Sequence, residues 1–145
     1  MKIINEVKLT FLSRSANESF ARVSAAGFFM QLDPTLEELN DIRTAVSEAV
    51  TNAIVHGYRN MSGNVYITLR ILEGNIAYIR VRDSGCGIAD VKKAMEPLFT
   101  TAPEEERSGL GFAIMQSFMD KVAVRSAVGK GTTVTMTKAL RTRDV

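Results

Sequence analysis

The run Ser47-Glu48-Ala49-Val50-Thr51-Asn52-Ala53-Ile54-Val55-His56-Gly57 sets three polar side chains, Glu48, Asn52 and His56, four residues apart in an otherwise largely apolar stretch. That spacing lines them up on one face of a helix. A solvated face would explain the pattern, and so would a site. Three features favour the site. The stripe is interleaved with Ala49, Val50, Ala53 and Ile54, Gly57 ends the run just beyond it, and asparagine is a poor helix former that usually has a reason to be there. Coordination is one such reason, because a carboxamide oxygen suits a hard divalent cation. A neighbouring carboxylate can orient or deprotonate a hydroxyl. His56 reads more simply as a partner of the helix C-terminal dipole.

Working outward from this helix, Thr35 and Glu38 form a capping-box pattern ahead of Leu36, Leu39, Ile42, Val46, Val50 and Ala53, which predicts one long helix ending at Gly57. An earlier helix is predicted from a Ser15/Glu18 capping box through Phe20, Val23, Gly27 and Met30, ending near Leu32 before Asp33-Pro34. Val7, Leu9 and Phe11 alternate with polar residues, as in a half-buried strand. Val65–Leu72 and Ile76–Arg82, joined by Glu73-Gly74-Asn75, read as a hairpin. A short amphipathic stretch around Val91–Met95 closes at Pro97. Leu98–Ser108 lacks periodicity and is expected to be a mobile loop, with a helix from Gly109 through Leu110, Ala113, Ile114 and Phe118 to about Met119. Val122–Ser126 and Thr132–Thr137 are expected as two final strands around Gly129-Lys130-Gly131. The order implies an α+β two-layer sandwich with helices on one face of a mixed sheet.

The 145 residues make one ordinary domain, 1–145, long enough to bury about two thirds of the unfolded surface. Eighteen Lys plus Arg against sixteen Asp plus Glu leave +2, with 46% apolar and 23% charged residues, a globular composition. Without a Lys/Arg run or an aromatic stripe, nothing argues for nucleic-acid binding. The longest uncharged run, Ser108–Met119, is twelve residues, short of the roughly 18 of a membrane span. The beginning of the chain lacks the apolar core of a secretion signal. One cysteine, Cys86, permits no internal disulfide, and a cytoplasmic protein is expected.

Two glycine-bearing segments carry further chemistry. Asp83-Ser84-Gly85-Cys86-Gly87 sets a carboxylate at a strand end beside a permissive backbone; an ordinary Asp-Ser-Gly turn is the plainer reading. It is not a dinucleotide fingerprint, because Asp90 stands where the third glycine belongs. Arg107-Ser108-Gly109-Leu110-Gly111 is expected to precede a helix, where free N–H groups, the dipole and an arginine would suit a phosphate; a glycine-rich N-cap with an exposed arginine would look the same. Gly129-Lys130-Gly131-Thr132 only imitates a P-loop and fits a hairpin turn better. Cys86, wedged between glycines, reads as chosen for size rather than reactivity.

In order and spacing, Glu48-x-x-x-Asn52, Asp83-x-Gly85-x-Gly87 and Gly109-x-Gly111 resemble the N, G1 and G2 boxes of the GHKL ATP-binding fold shared by gyrase, Hsp90, MutL and histidine kinases. Ser47–Ala53, Pro97-Leu98-Phe99-Thr100-Thr101, Arg107–Phe112 and Asn17–Arg22 extend the likeness over nearly the whole chain to the anti-sigma F family of serine protein kinases in spore-forming bacteria. The resemblance implies that Asn52 holds Mg²⁺ bridging the ATP phosphates and that Asp83 accepts from the adenine amino group. Glu48 would act on the attacking hydroxyl and Arg107 would face the γ-phosphate. Gly85 and Gly87 would let the backbone pass the adenine, Gly109 and Gly111, with Ser108 and Leu110, would wrap the phosphates, and Thr133 would support the adenine site. Leu98–Ser108, with Thr100 and Thr101, becomes an ATP lid. Partners implied are a sigma factor of the sigma F type, an anti-anti-sigma factor as serine substrate, and a second copy of the chain in a homodimer. Glu18 and Arg22 match partner-facing positions. A histidine-kinase fragment shares the fold but needs a helical dimerisation region that these segments do not supply. An ATP-gated sigma-binding protein without turnover is the other reading.

Overall fold

The computed structural model describes residues 1–59, 61–96 and 103–141, and their side chains except those of 103–110. Strands β1 (Ile3–Leu12), β2 (Asn64–Leu72), β3 (Ile76–Asp83), β4 (Lys121–Ala127) and β5 (Gly131–Ala139) form one sheet in the order β1-β2-β3-β5-β4. The helices are α1 (Ala16–Phe29), continued by a 3-10 turn at Met30–Leu32, then α2 (Leu36–Thr51), α3 (Val91–Ala94) and α4 (Pro103–Phe118). All four strand pairings are antiparallel, which corrects the expectation of a mixed sheet. Two helices separate β1 from β2, so the chain reverses once more than a single crossover helix would allow and re-enters beside β1 in the opposite sense.

The two-layer α+β arrangement itself is as expected. Val65, Ile67, Leu69 and Ile71 on β2 and Ala77, Ile79 and Val81 on β3 point to one face and are buried against Ile42, Val46 and Val50 of α2 and Phe112 and Met115 of α4. Strand periodicity of two sends the intervening residues to the opposite face. The predicted strand at Val7–Phe11 falls toward the C-terminal end of the longer β1.

Three local expectations are corrected. Ser15 makes no capping hydrogen bond; the Glu18 carboxylate instead accepts from the Ser47 hydroxyl of α2 and lies 3.9 Å from the Arg22 guanidinium. The spacing of Phe20, Val23, Gly27 and Met30 does track a helix, but Phe20, Val23 and Met30 are each more than half exposed, and Ala21, Ala25 and Phe29 form the buried face. Small alanines let α1 approach α2 closely, leaving the larger side chains outside. Finally, α4 begins at Pro103 rather than Gly109. Proline at the first helical position followed by Glu104, Glu105 and Glu106 is a helix start complemented by negative charge at the dipole's positive end. Of the expected mobile loop, 98–102 lies outside the described residues.

The Thr35/Glu38 box is formed as predicted, each residue's side chain accepting from the other's backbone N–H, at 3.1 and 2.9 Å. Thr35→Ala is expected to cost about 1 kcal/mol of folding stability. Chemical denaturation of variant and parent measures it, and equal midpoints with equal slopes would show that the cap contributes nothing.

Candidate functional site

The polar stripe of the opening sequence run leaves α2 through a π-helical turn, Asn52–Gly57. Its widened geometry is visible where the Tyr58 N–H donates to Ala53 O, five residues back, at 3.0 Å. Such turns insert one residue per cycle and recur at functional sites. Here the turn brings the Gly57 carbonyl to the glycine loop after β3, where it accepts the Cys86 N–H at 2.8 Å. The loop can come this near because Gly85, next to Cys86, carries no side chain. A Cβ on Gly85 would stand 2.0 Å from the Gly57 oxygen, and a Cβ on Gly57 would stand 2.8 Å from the Asp83 carboxyl.

The same loop is clamped from its other side by the β4–β5 turn. The Gly129 N–H donates to Cys86 O at 2.8 Å. Gly87 has φ +75° and a Cβ there would meet Ala127 O at 2.1 Å. Gly85 and Gly87 are therefore required by backbone packing, in addition to any approach by a ligand. The Cys86 thiol donates to His56 O at 3.2 Å, which fits its reading as a small filler residue.

These contacts leave an open cleft of about 670 Å³. One wall is Asn52, Ala53 and His56 of the π turn, another is Val81 and Asp83 of β3 with Thr132 of β5, and Gly87, Ile88 and Phe112 close the rest. Asp83 is only 5% exposed. One of its oxygens accepts the Gly85 N–H at 2.9 Å. Burial pushes its carboxyl above the ordinary value, opposed by the backbone N–H donors of Gly85 and Thr132 and by the charge of Arg82. A buried carboxylate in the wall of a cleft is a strong acceptor for an N–H donor of a planar ligand.

Beside the cleft, Glu48 and Gly111 meet Asn52, which lines it, while Glu48 borders a separate hollow with Arg22 and Ser47. A Cβ on Gly111 would lie 3.2 Å from Glu48 Oε2 and 3.3 Å from both polar atoms of the Asn52 amide, tighter than ordinary contact, so a side chain there would press on both. Asn52 Nδ2 is buried with no hydrogen-bond partner among the described residues. An unsatisfied amide donor of this kind is costly, and it marks a place where an acceptor oxygen of a ligand would be accommodated. No cluster of three or more His, Cys, Asp or Glu side chains suited to a metal occurs among the described residues. A divalent cation would thus rest on the Asn52 carboxamide together with ligand oxygens, which its hard-oxygen chemistry allows.

The predicted residues divide as follows. Asn52, Asp83 and Gly87 line the cleft, Gly85 packs against Gly57 behind it, and Glu48 and Gly111 adjoin Asn52. Thr133 stands apart: it pairs with Arg82 across β5 and points to the sheet's outer face, while Thr132, paired with Asp83, lines the cleft. The one-residue error follows from strand parity, which sequence spacing alone does not fix. Thr100 and Thr101 lie outside the described residues. The backbone of Arg107, Ser108, Gly109 and Leu110 is inside α4, so their N–H groups are not at a helix start as expected; the free donors of α4 belong to its first turn from Pro103. Glu18 and Arg22 stand on α1 away from the cleft, with Glu18 joined to Ser47, the neighbour of Glu48. Sequence reasoning missed the role of Gly57, which it took for a helix stop, and that of Thr132.

Residues 13–138 match the family model of the histidine kinase-like ATPase domain. Among curated proteins, the chain is 56% identical over 134 residues to an anti-sigma F factor of Geobacillus thermodenitrificans, covering 92% of each chain. It is 57% identical over 138 residues to one of Thermoanaerobacter sp. (strain X514), covering 95% of this chain and 96% of that one. Among solved structures, the RsbU and RsbW domains of Rv1364c from Mycobacterium tuberculosis share the fold at 19% identity with a TM-score of 0.69, over 94% of this chain and 32% of that one. A blue-light activated histidine kinase domain from Erythrobacter litoralis EL346 does so at 22% identity and a TM-score of 0.59, over 85% and 60%. With more than half its residues shared along nine tenths of its length, the chain belongs to the anti-sigma F factor family and carries that family's histidine kinase-like ATPase domain.

Proposed function

We propose that the chain is an ATP-dependent serine protein kinase that also binds and inhibits a sigma factor of the sigma F type, and that its protein substrate is the sigma factor's anti-anti-sigma antagonist. The observation that carries the nucleotide part is that Asn52 and Asp83, from distant segments, line one cleft, with Glu48 and Gly111 packed against Asn52 at its edge. The partners rest on the family to which the chain belongs.

In this reading the adenine amino group donates to Asp83, and Val81, Ile88 and Val134 supply apolar walls for the ring. Asn52 holds the Mg²⁺ that, when bound, offsets phosphate charge. Glu48 orients the substrate serine hydroxyl and takes its proton. Phosphoryl transfer asks the protein for positioning and electrostatics, and a covalent nucleophile is not required. Arg107 and Ser108–Gly111 serve the phosphates, so nucleotide binding unwinds the first turns of α4 to free their N–H groups. For the homodimer, the exposed Phe20, Val23 and Met30 of α1 and the free edge of β1 are the candidate surface, since apolar stripes and unpaired strand edges both favour association. Glu18 and Arg22 face the protein partners.

Two variants separate the parts of the reading. Glu48→Ala is expected to bind ATP as the parent does and to lose transfer of γ-phosphate label to the antagonist's serine, by at least ~10²-fold for loss of a general base. Undiminished transfer would remove Glu48 from the mechanism. Retained sigma binding by a parent protein incapable of transfer would instead favour ATP-gated binding without turnover.

Asp83→Asn is expected to weaken ATP binding at least ~10-fold in calorimetry, because the charge-assisted acceptor is lost and an amide can present a donor to a donor. The same substitution has a stability signature of opposite sign. With its carboxyl raised, the folded chain holds the Asp83 proton more tightly than the unfolded chain, whose reference value is 3.8. The stability contributed by that proton is full below the reference value and declines as pH climbs through the raised one. The nucleotide-free variant should therefore melt at or above the parent temperature at pH 7, with the difference shrinking toward pH 4. A variant less stable than the parent at pH 7, or with unchanged ATP affinity, contradicts the assignment.

A further inference from the structure

The face of the sheet turned away from the helices carries a charge pattern that the nucleotide cleft does not use. The register places Glu6, Arg70, Tyr78, Thr137 and Lys121 in one cross-strand row, Lys8, Thr68, Arg80, Thr135 and Ala123 in the next, and Thr10, Tyr66, Arg82, Thr133 and Arg125 in a third. These rows hold six cations against one carboxylate, on a chain whose net charge is only +2. Charge is thus segregated, and the remainder of the molecule is net acidic. The single carboxylate, Glu6, is taken by Arg70 at 2.5 Å and approached by Lys8 at 3.9 Å. Among the described residues, no carboxylate lies within 4.0 Å of Arg80 or Arg82.

The guanidiniums are also ordered. Arg82 stacks over the Tyr66 ring at 4.1 Å and Arg70 over Tyr78 at 4.9 Å, while Arg80 donates to the Thr68 hydroxyl at 3.4 Å. A hollow in the middle of the face is lined by Lys8, Thr10, Tyr66, Thr68, Arg80 and Arg82. Like charges gathered around a hollow, outnumbering the Glu6 carboxylate beside Lys8, repel one another and are stabilised by an anion that fills it. Stacking on tyrosine limits the freedom such an arginine must give up on binding.

We propose that this open sheet face docks an acidic helix of a partner protein, with one of its carboxylates seated in the Lys8/Arg80/Arg82 hollow. Charge complementarity carries the choice of an anionic partner. Two points carry the choice of an acidic helix over nucleic acid. The Tyr66 and Tyr78 rings already have guanidiniums over them, so they offer no free platform for stacking bases. Cations two residues apart on a strand stand about 7 Å apart, close to the ~6 Å between carboxylates one turn apart on a helix. The face lies across the sheet from the nucleotide cleft and does not depend on the assignment of that cleft.

The test measures binding of a labelled synthetic helical peptide with glutamates at i and i+4 to the full chain by fluorescence anisotropy at low and moderate salt. Three probes of equal charge are compared: this peptide, a proline-interrupted version and a single-stranded oligonucleotide. The expected result is salt-sensitive binding in which the helical peptide is preferred. Arg80→Glu/Arg82→Glu is expected to weaken that binding roughly tenfold or more, and Arg80→Gln/Arg82→Gln to weaken it less. Lys92→Glu/Lys130→Glu, which makes the same charge change off this face, should stay within about twofold of the parent. Melting curves establish that each variant is folded, and the glutamine pair keeps the test open if the glutamate pair is not. Equal losses in the on-face and off-face pairs, no binding by the parent at low salt, or tighter binding of the oligonucleotide with the same sensitivity to Arg80 and Arg82 would each overturn the proposal.

Discussion

The approach of the Gly85 backbone to the Gly57 carbonyl is the contact on which the site depends. It joins the end of the long helix to the end of the central strand β3; a Cβ on Gly85 would collide with the Gly57 backbone, and one on Gly57 would press on the Asp83 carboxyl. The hydrogen bond from the Cys86 N–H to Gly57 O fixes the register of that contact. Asp83 is thereby held beneath the π turn with one oxygen committed to Gly85 and its carboxyl facing the cleft.

The π turn converts a packing helix into a binding wall. Through Val50 the helix buries an apolar face against the sheet. The π turn then sets Asn52, Ala53, His56 and Gly57 along the cleft and brings the Gly57 carbonyl to the glycine loop. Gly111 completes the arrangement from α4, where a side chain would press on Glu48 and Asn52. The cost is concentrated where a ligand would relieve it, in a buried carboxyl with a raised pKa and an unpartnered amide nitrogen. Sites commonly hold such locally unfavourable groups, balanced by packing elsewhere.

Most of the fold was legible because hydrophobic period, caps and turns agree locally. The Thr35/Glu38 box, the β2–β3 hairpin and the glycine turn between β4 and β5 all follow from chemistry within a few residues. What escaped depends on tertiary contacts. Ser15 and Glu18 have the spacing of a cap, but Glu18 finds the Ser47 hydroxyl 29 residues away. The larger apolar side chains of α1 look like a core stripe, yet the alanines pack inside. The start of α4 could have been read from Pro103 and three glutamates, had acidic charge been taken as a helix-start signal rather than as a sign of a loop. Within the site, the three segments were legible as motifs. The exchange of Thr132 for Thr133 and the role of Gly57 needed register and a π turn, neither of which leaves a mark at the level of residue spacing.

The structure thus has two faces of opposite chemistry: a helical side enclosing a cleft with buried carboxyl and amide groups, and an open sheet side bearing stacked cations. The central claim is that the helix, the glycine loop and α4 form a single site for ATP. It is tested most directly by titrating Mg·ATP into isotope-labelled protein and following backbone amide resonances. The account predicts saturable shifts with one common affinity at Asn52, Gly85, Gly87 and Gly111 together. Shifts confined to one of these segments, or no shift at millimolar nucleotide, would contradict it.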